Sequence, residues 1–130
     1  MITKKNFFTF TPPISASLYR LHPLDYLTSE KHPHANWAMN TGSPSGIFVV
    51  DVDIKDSGIS NWKALVEFNA EIDTVQVQTP SGGKHVWFRY PSEGLIKNSV
   101  NKLSKGIDVR GKSGYVLIPP SNDYNFINEF

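Results

Sequence analysis

The 130-residue chain contains no cysteine. That absence excludes a disulfide framework, a thiolate zinc site, an Fe–S cluster and a cysteine nucleophile. A reducing compartment, the cytoplasm, is the expectation. Long apolar runs are missing as well. No uninterrupted run exceeds the four residues of Ile47–Val50, so no transmembrane helix and no membrane partner are expected. Met1-Ile2-Thr3-Lys4-Lys5 leads into aromatic and proline-rich sequence with no apolar core or small-residue cleavage site, and a secretory leader is not expected. A large excess of one charge is also lacking. The net charge of +1 predicts no strong uniform attraction to nucleic acid or to an anionic membrane. No Gly-x-Ser-x-Gly elbow occurs, and no Gly-x-Gly-x-x-Gly follows a strand. Hydrolysis through a nucleophile elbow and Rossmann dinucleotide binding are thereby set aside, and P-loop nucleotide hydrolysis is not expected either.

What the chain has is enough apolar sequence for one core. Hydrophobic residues make up 39% and charged residues 19%, too apolar and too weakly charged for a disordered tail. The length predicts a single domain spanning 1–130. Residues 1–35 hold four of the nine prolines and three of the four histidines, His22, His32 and His34. They read as irregular structure with one short helix, near Ser15–Tyr19 or Pro23–Ser29. Charge is uneven along the chain: residues 84–112 carry seven Lys and Arg against only Glu93 and Asp108. Such a segment is either a solvated face or a surface for a polyanion.

From Asn36 onward periodicity becomes readable. Trp37 to Asn40 is a short strand ended by Thr41-Gly42. Ile47 to Asp53 is β-branched and almost continuously apolar, as in a central strand covered on both faces. Ile59, Trp62, Leu65 and Val66 recur at helical spacing behind a cap at Ser57 or Ser60, which predicts a helix to about Phe68 with Trp62 in the core. Thr74 to Thr79 alternates as a half-exposed strand. The Pro80–Gly83 turn joins it to a strand over Lys84–Tyr90, and so short a connection predicts an antiparallel hairpin. Pro91 to Ser104 suggests a short helix. Gly106–Arg110 and Gly114–Ile118 read as a second hairpin about Gly111-Lys112-Ser113. The order predicts an α+β domain with a mixed sheet.

Three features carry chemistry. Asp51 and Asp53 end the apolar strand two residues apart, so both project from one face. They suit a hard divalent cation such as Mg²⁺ or Mn²⁺, or they mark a strand running out into solvent. In Thr79–His85 (TPSGGKH), glycine backbone N–H groups with Ser81, Lys84 and His85 could receive a phosphate, or the stretch is an exposed hairpin turn. His85 shares strand parity with Trp87 and Arg89. Asp108 and Arg110 sit two apart on a strand, as a site or as an ion-paired edge.

Taken in order, GIFVVDVD (46–53), TPSGGKH (79–85), GIDVRG (106–111) and GYVLIPPS (114–121), with NWAMNTG (36–42) upstream, resemble the prim-pol branch of the archaeo-eukaryotic primase superfamily. The resemblance covers residues 36–121; residues 1–35 match poorly. It implies an RRM-like catalytic core with a small N-terminal αβ unit, and template-dependent nucleotidyl transfer by a two-metal mechanism. Position by position it implies Asp51, Asp53 and Asp108 as catalytic metal ligands for Mg or Mn, and His85 at the phosphates of the incoming nucleotide. Lys84 and Ser81 are expected to help hold the triphosphate, with Arg110 beside them and Asn40 and Thr41 bordering the nucleotide. Implied partners are a DNA template and primer, nucleoside triphosphates and, in relatives that carry one, a fused or separate helicase. Lys97, Lys102, Lys105 and Lys112 are expected to track template backbone. Without cysteine the zinc module of some primases is absent, so extension is expected ahead of de novo priming. The residues also admit a metal-dependent nuclease, using Asp51, Asp53 and Lys55, and a non-catalytic nucleotide or single-stranded DNA binding module.

Overall fold

A computed structural model describes residues 36–67, 74–119 and 121–127. Its centre is the apolar run at Ile47–Val52 (β2), which lies between Lys84–Arg89 (β4) and Ile107–Arg110 (β6). Gln76–Gln78 (β3) continues the sheet beyond β4, Asn125–Phe126 (β8) closes that side, and Ser99–Ser104 (β5) forms the opposite edge. The order of this six-stranded sheet is β5-β6-β2-β4-β3-β8. A second sheet holds only Trp37–Asn40 (β1) and Tyr115–Ile118 (β7). The one α-helix among the described residues, Gly58–Glu67 (α1), follows β2 after a 3-10 turn at Lys55–Ser57. No described helix is long and apolar enough to cross a membrane.

Side-chain alternation along the three central strands divides the core into two layers. Phe48, Val50 and Val52 of β2 join Val86 and Phe88 of β4 and Ile107 and Val109 of β6 on the helix side, where Trp62 packs against them. The rings of Phe48 and Phe88, opposite each other in register, stack at 5.4 Å. Val49 and Trp87 face the other way and meet Val116 and Ile118 from the small sheet, with Trp37 and Met39 alongside. The near-continuous apolar character of β2 thus reflects cover on both faces.

The junction after β2 depends on close backbone approach. A Cβ on Gly58 would collide with the carbonyl oxygens of Asp53 and Gly106, and Gly106 itself stands at φ 77° against the Gly58 backbone. These two glycines bring the end of β2, the start of α1 and the β5–β6 turn together. Ser57, an expected cap, lies at φ 61° just before the helix.

The strands expected at 37–40, 47–53, 84–90, 106–110 and 114–118 are present within a residue or two, β3 is shorter than expected, and Trp62 is buried. The α+β class holds. Three expectations are corrected. Every strand pairing among the described residues is antiparallel, so the sheet is not mixed. Residues 99–104 form β5 rather than a helix, because Leu103 is drawn into the helix-side core while Val100 and Lys102 remain outside. The strands β6 and β7 do not form a hairpin: β6 pairs with β2 and β5, and β7 leaves to pair with β1. The intervening loop is held from both sides. Lys112 N–H donates to Ile96 O at 2.7 Å and Gly111 N–H to Asn98 Oδ1 at 2.8 Å, while the Thr41 hydroxyl donates to Gly111 O at 2.6 Å. The N-terminal helix, the N-terminal αβ unit and His22, His32 and His34 lie outside the described residues.

Leu103 is 1% exposed and Val100 61% exposed. Leu103→Ala is therefore expected to destabilise the domain by about 2–5 kcal/mol, and Val100→Ala to change stability by no more than about 0.5 kcal/mol, as measured by urea denaturation. Equal effects at the two positions would contradict the strand assignment of residues 99–104.

Candidate active site

The site grows from register. On β2, Asp51 pairs with His85 of β4 on one side and with Asp108 of β6 on the other. Asp108, Asp51 and His85 therefore form one row across three adjacent strands, on the face away from α1. Directly opposed residues in such a ladder have Cβ atoms about 4.5–5.5 Å apart, and like charges there repel. A side-chain nitrogen stands beside each of the two acids. His85 Nε2 is 3.4 Å from Asp51 Oδ1, and Arg110 Nη2 is 3.8 Å from Asp108 Oδ2. Asp108 Oδ1 also accepts the backbone N–H of Asn101 at 3.1 Å.

That last contact depends on an irregularity in β5. Ser99 pairs with Val109 and Ser104 with Ile107, so five steps along β5 span only two along β6. Asn101 sits in this bulge at φ 57°, and its side-chain Oδ1 accepts the Gly106 N–H at 2.8 Å. The bulge turns the Asn101 N–H toward the acid, as bulges beside functional sites commonly do.

Asp53 lies two residues beyond Asp51, with its N–H donated to Gly106 O at 2.8 Å. Burial, and then the charges of Asp51 and Asp108, push its carboxyl above the usual range. The three acids thus share one electrostatic field. Their hard oxygen donors and mutual repulsion fit a divalent cation. As placed, however, no group of three His, Asp or Glu side chains among the described residues is gathered closely enough to hold a metal ion. Asp108 is turned to Arg110 and Asn101, and Asp51 to His85. The fit is one of charge, donor type and shared face.

His85 is buried, and its Nδ1 has no hydrogen-bond partner among the described residues. An unpaired buried nitrogen is costly and calls for a partner such as a ligand or a water. The ring of Tyr124 lies tilted over His85 at 6.1 Å. Asp51, His85, Arg110 and Tyr124, with Asn98 and the Ser113–Leu117 stretch, line a cleft of about 410 Å³ between the two sheets.

The other expected residues fall elsewhere. Lys84 is on the opposite face of β4 from His85, since neighbours along a strand alternate. Its Nζ donates to Gln76 Oε1 at 3.3 Å, and burial, with Lys63 nearby, lowers its pKa. Ser81 is exposed in the β3–β4 turn, 3.3 Å from the Thr79 hydroxyl. That turn packs against the chain leaving β2, with Gly83 against the Val52 carbonyl. The N–H groups of Thr79 and Gly82 bond within it, to Gly83 O and Thr79 O, so these two do not present themselves to an anion. Asn40 and Thr41 line a smaller cavity of about 220 Å³ with Lys112 and Ser113. Residues 106–113 (GIDVRGKS) do match the letters of a P-loop, which the reading by motif overlooked. Here the four intervening residues are strand β6, and a strand rather than a helix follows, so there is no helix N-terminus to cradle phosphate. Asn98, Asn101 and Tyr124 were missed altogether. An asparagine in a bulge and a tyrosine after the last long strand carry no motif of their own.

Fold and site together define an antiparallel α+β domain with three electrostatically linked acids and a buried histidine at one end of its sheet. The sequence model of the bifunctional DNA primase/polymerase N-terminal domain, Prim-Pol, matches residues 12–129, and the chain belongs to that family. No curated protein matches it.

A raised Asp53 pKa has a defined pH signature. The proton-linked stability is complete below the ordinary carboxylate pKa of about 3.9 and is lost as pH rises through the raised value. Asp53→Asn mimics the protonated acid. Its thermal midpoint in metal-free buffer should exceed that of the parent by a few degrees at about pH 7, and the gain should vanish near pH 3. A gain independent of pH would show that the Asp53 carboxyl is not raised in the folded domain.

Proposed function

We propose that this domain adds nucleotides to a DNA primer opposite a template strand, a nucleotidyl transfer belonging to the replication of a plasmid, virus or prophage. The observation that carries the proposal is the row Asp108–Asp51–His85 across β6, β2 and β4, with Asp53 in the same field. Family membership supports the same activity. The strand order β6-β2-β4-β3, with α1 following β2, supports an RRM-like catalytic core. It reads as a β-α-β-β-α-β unit in which β5 replaces the second helix. Residues 36–121 form this core within a single domain spanning 1–130.

The reaction requires a 3′-hydroxyl to attack an α-phosphorus while pyrophosphate leaves. Asp51, Asp53 and Asp108 would hold Mg²⁺ or Mn²⁺, which supplies activation of the attacking oxygen and neutralisation of the leaving one. The rest falls to the chain's own groups. His85, fixed beside Asp51 by register, presents its imidazole to the triphosphate from the cleft floor. Arg110, half-exposed on the cleft wall, offers a planar fork suited to phosphate oxygens. Ser81 adds a hydroxyl from the turn that packs against the end of β2. Lys84, held to Gln76 on the helix face, supports that turn from behind. The Lys112–Gly114 loop, pinned by Asn98 and Thr41, gives the cleft a rigid side, which favours orientation of a bound nucleotide. The partners are a DNA template and primer and nucleoside triphosphates, with a helicase acting alongside, in the cytoplasm.

The test is incubation of the chain with a primed template, Mn²⁺ or Mg²⁺ and nucleotides. Elongation is expected. Asp51→Ala and Asp53→Ala should each reduce its rate by at least about 10²-fold, the scale of removing one strong electrostatic stabiliser. Shortening of the primer would point to a nuclease. A parent chain that binds nucleotide without synthesis, with binding that survives both substitutions, would point to a binding module.

A further inference from the structure

The expected template-tracking lysines do not form one surface. Lys105 lies in the β5–β6 turn, where its carbonyl accepts from Asn61 of α1 at 2.8 Å. Lys112 lines the small cavity beside Asn40 and Thr41. Lys97 and Lys102 lie together on a third cavity of about 370 Å³ at the β5 edge, with Val100, Val109, Asn98 and Arg110. Asn98 and Arg110 line the acid cleft as well. The β5 cavity and the cleft therefore adjoin at these two residues.

Resting on the nucleotidyl-transfer reading above, we propose that single-stranded DNA enters the cleft through this trough, over the bulge of β5, and not past Lys105 or Lys112. Charge and shape both favour that occupant. Three cations and no acid line the trough. Its floor is apolar, and Val100, an exposed valine at 61%, has no partner role in the core. A basic rim beside an exposed apolar side chain suits a single strand, whose phosphates meet the lysines while sugars and bases meet Val100. A duplex presents its phosphates outward and leaves such a floor unused. A peptide adding to the sheet is disfavoured, because the break in register between Ser99 and Ser104 interrupts the edge ladder that β-augmentation needs. The bulge at Asn101 lies between Val100 and Lys102 of the trough and points its N–H at Asp108, so the DNA path and the third acid border one feature.

The test compares two variants of the full chain with equal charge change, Lys97→Glu/Lys102→Glu and Lys105→Glu/Lys112→Glu. All four lysines are exposed, and thermal midpoints check that both variants fold. Binding of a fluorescent single-stranded oligonucleotide is measured by anisotropy across a salt series. The first variant should bind at least about tenfold more weakly and lose about one to two units of salt slope. The second should stay within about threefold of the parent. Equal losses in the two, or a larger loss in the second, would overturn the proposal, as would an oligonucleotide that binds the parent with no salt dependence. Binding of a nucleoside triphosphate with Mn²⁺, followed separately, should be unchanged in the first variant, whose two lysines lie outside the acid cleft. If the first variant selectively loses oligonucleotide while the parent never extends a primer, the trough stands and the catalytic reading fails. If extension occurs but both variants bind alike, the trough fails and the catalytic reading stands.

Discussion

Two carboxylates placed directly across a strand pair repel, and the site is built around that repulsion. The pairing of β2 with both neighbours leaves Asp51 no choice: His85 lies on one side and Asp108 on the other. A slip of β2 by one residue against both neighbours would turn Asp51 to the helix face, out of the row and against the layer of Trp62 and Phe88. Register is held by what lies below the acids. Phe48, Val50 and Val52 alternate into one core layer and Val49 into the other, so both faces of β2 resist slipping. The apolar strand is therefore the device that holds an unfavourable charge arrangement in place.

The second sheet explains why the acids remain reachable. The β1–β7 pair covers Val49 and Trp87 and stops short of Asp51 and His85, leaving the cleft between the layers open at that end. Its position depends on the Gly111–Gly114 loop, through which the chain leaves the large sheet. A Cβ at Gly114 would crowd Asn98 Oδ1 at 2.6 Å and the Thr41 hydroxyl at 2.8 Å, so a side chain there would displace the two groups that pin the loop. Arg110 sits at the start of this loop and touches both the acid cleft and the lysine trough. One side chain thus borders the proposed chemistry and the proposed strand path.

Much of this was legible in the sequence where local pattern and tertiary role coincide. The β-branched run at 47–52, the alternation at Val75 and Val77 and the helical spacing around Trp62 all identify their elements. Strand parity was enough to put Asp51 with Asp53 and His85 with Trp87. The same parity separates Lys84 from His85, a consequence that the motif, read as letters, conceals. The bulge of β5 was not legible, since Ser99–Ser104 loses its alternation where extra residues enter the strand. Nor was the departure of β7, because a short glycine-bearing connection ordinarily makes a hairpin. The contacts that prevent it come from Thr41, Ile96 and Asn98, and only the last two lie near in sequence. Tyr124 reaches His85 only through the folded path of the chain after β7.

The central claim is that Asp51, Asp53 and Asp108 act as one cation-binding group at a nucleotide site. Crystals of the chain soaked with Mn²⁺ and a nucleoside triphosphate, measured at the manganese absorption edge, test it most directly. The account predicts anomalous density among these three carboxylates, with the triphosphate against His85 and Arg110. Manganese bound elsewhere, or a triphosphate seated away from His85 while the acids stay bare, would contradict it.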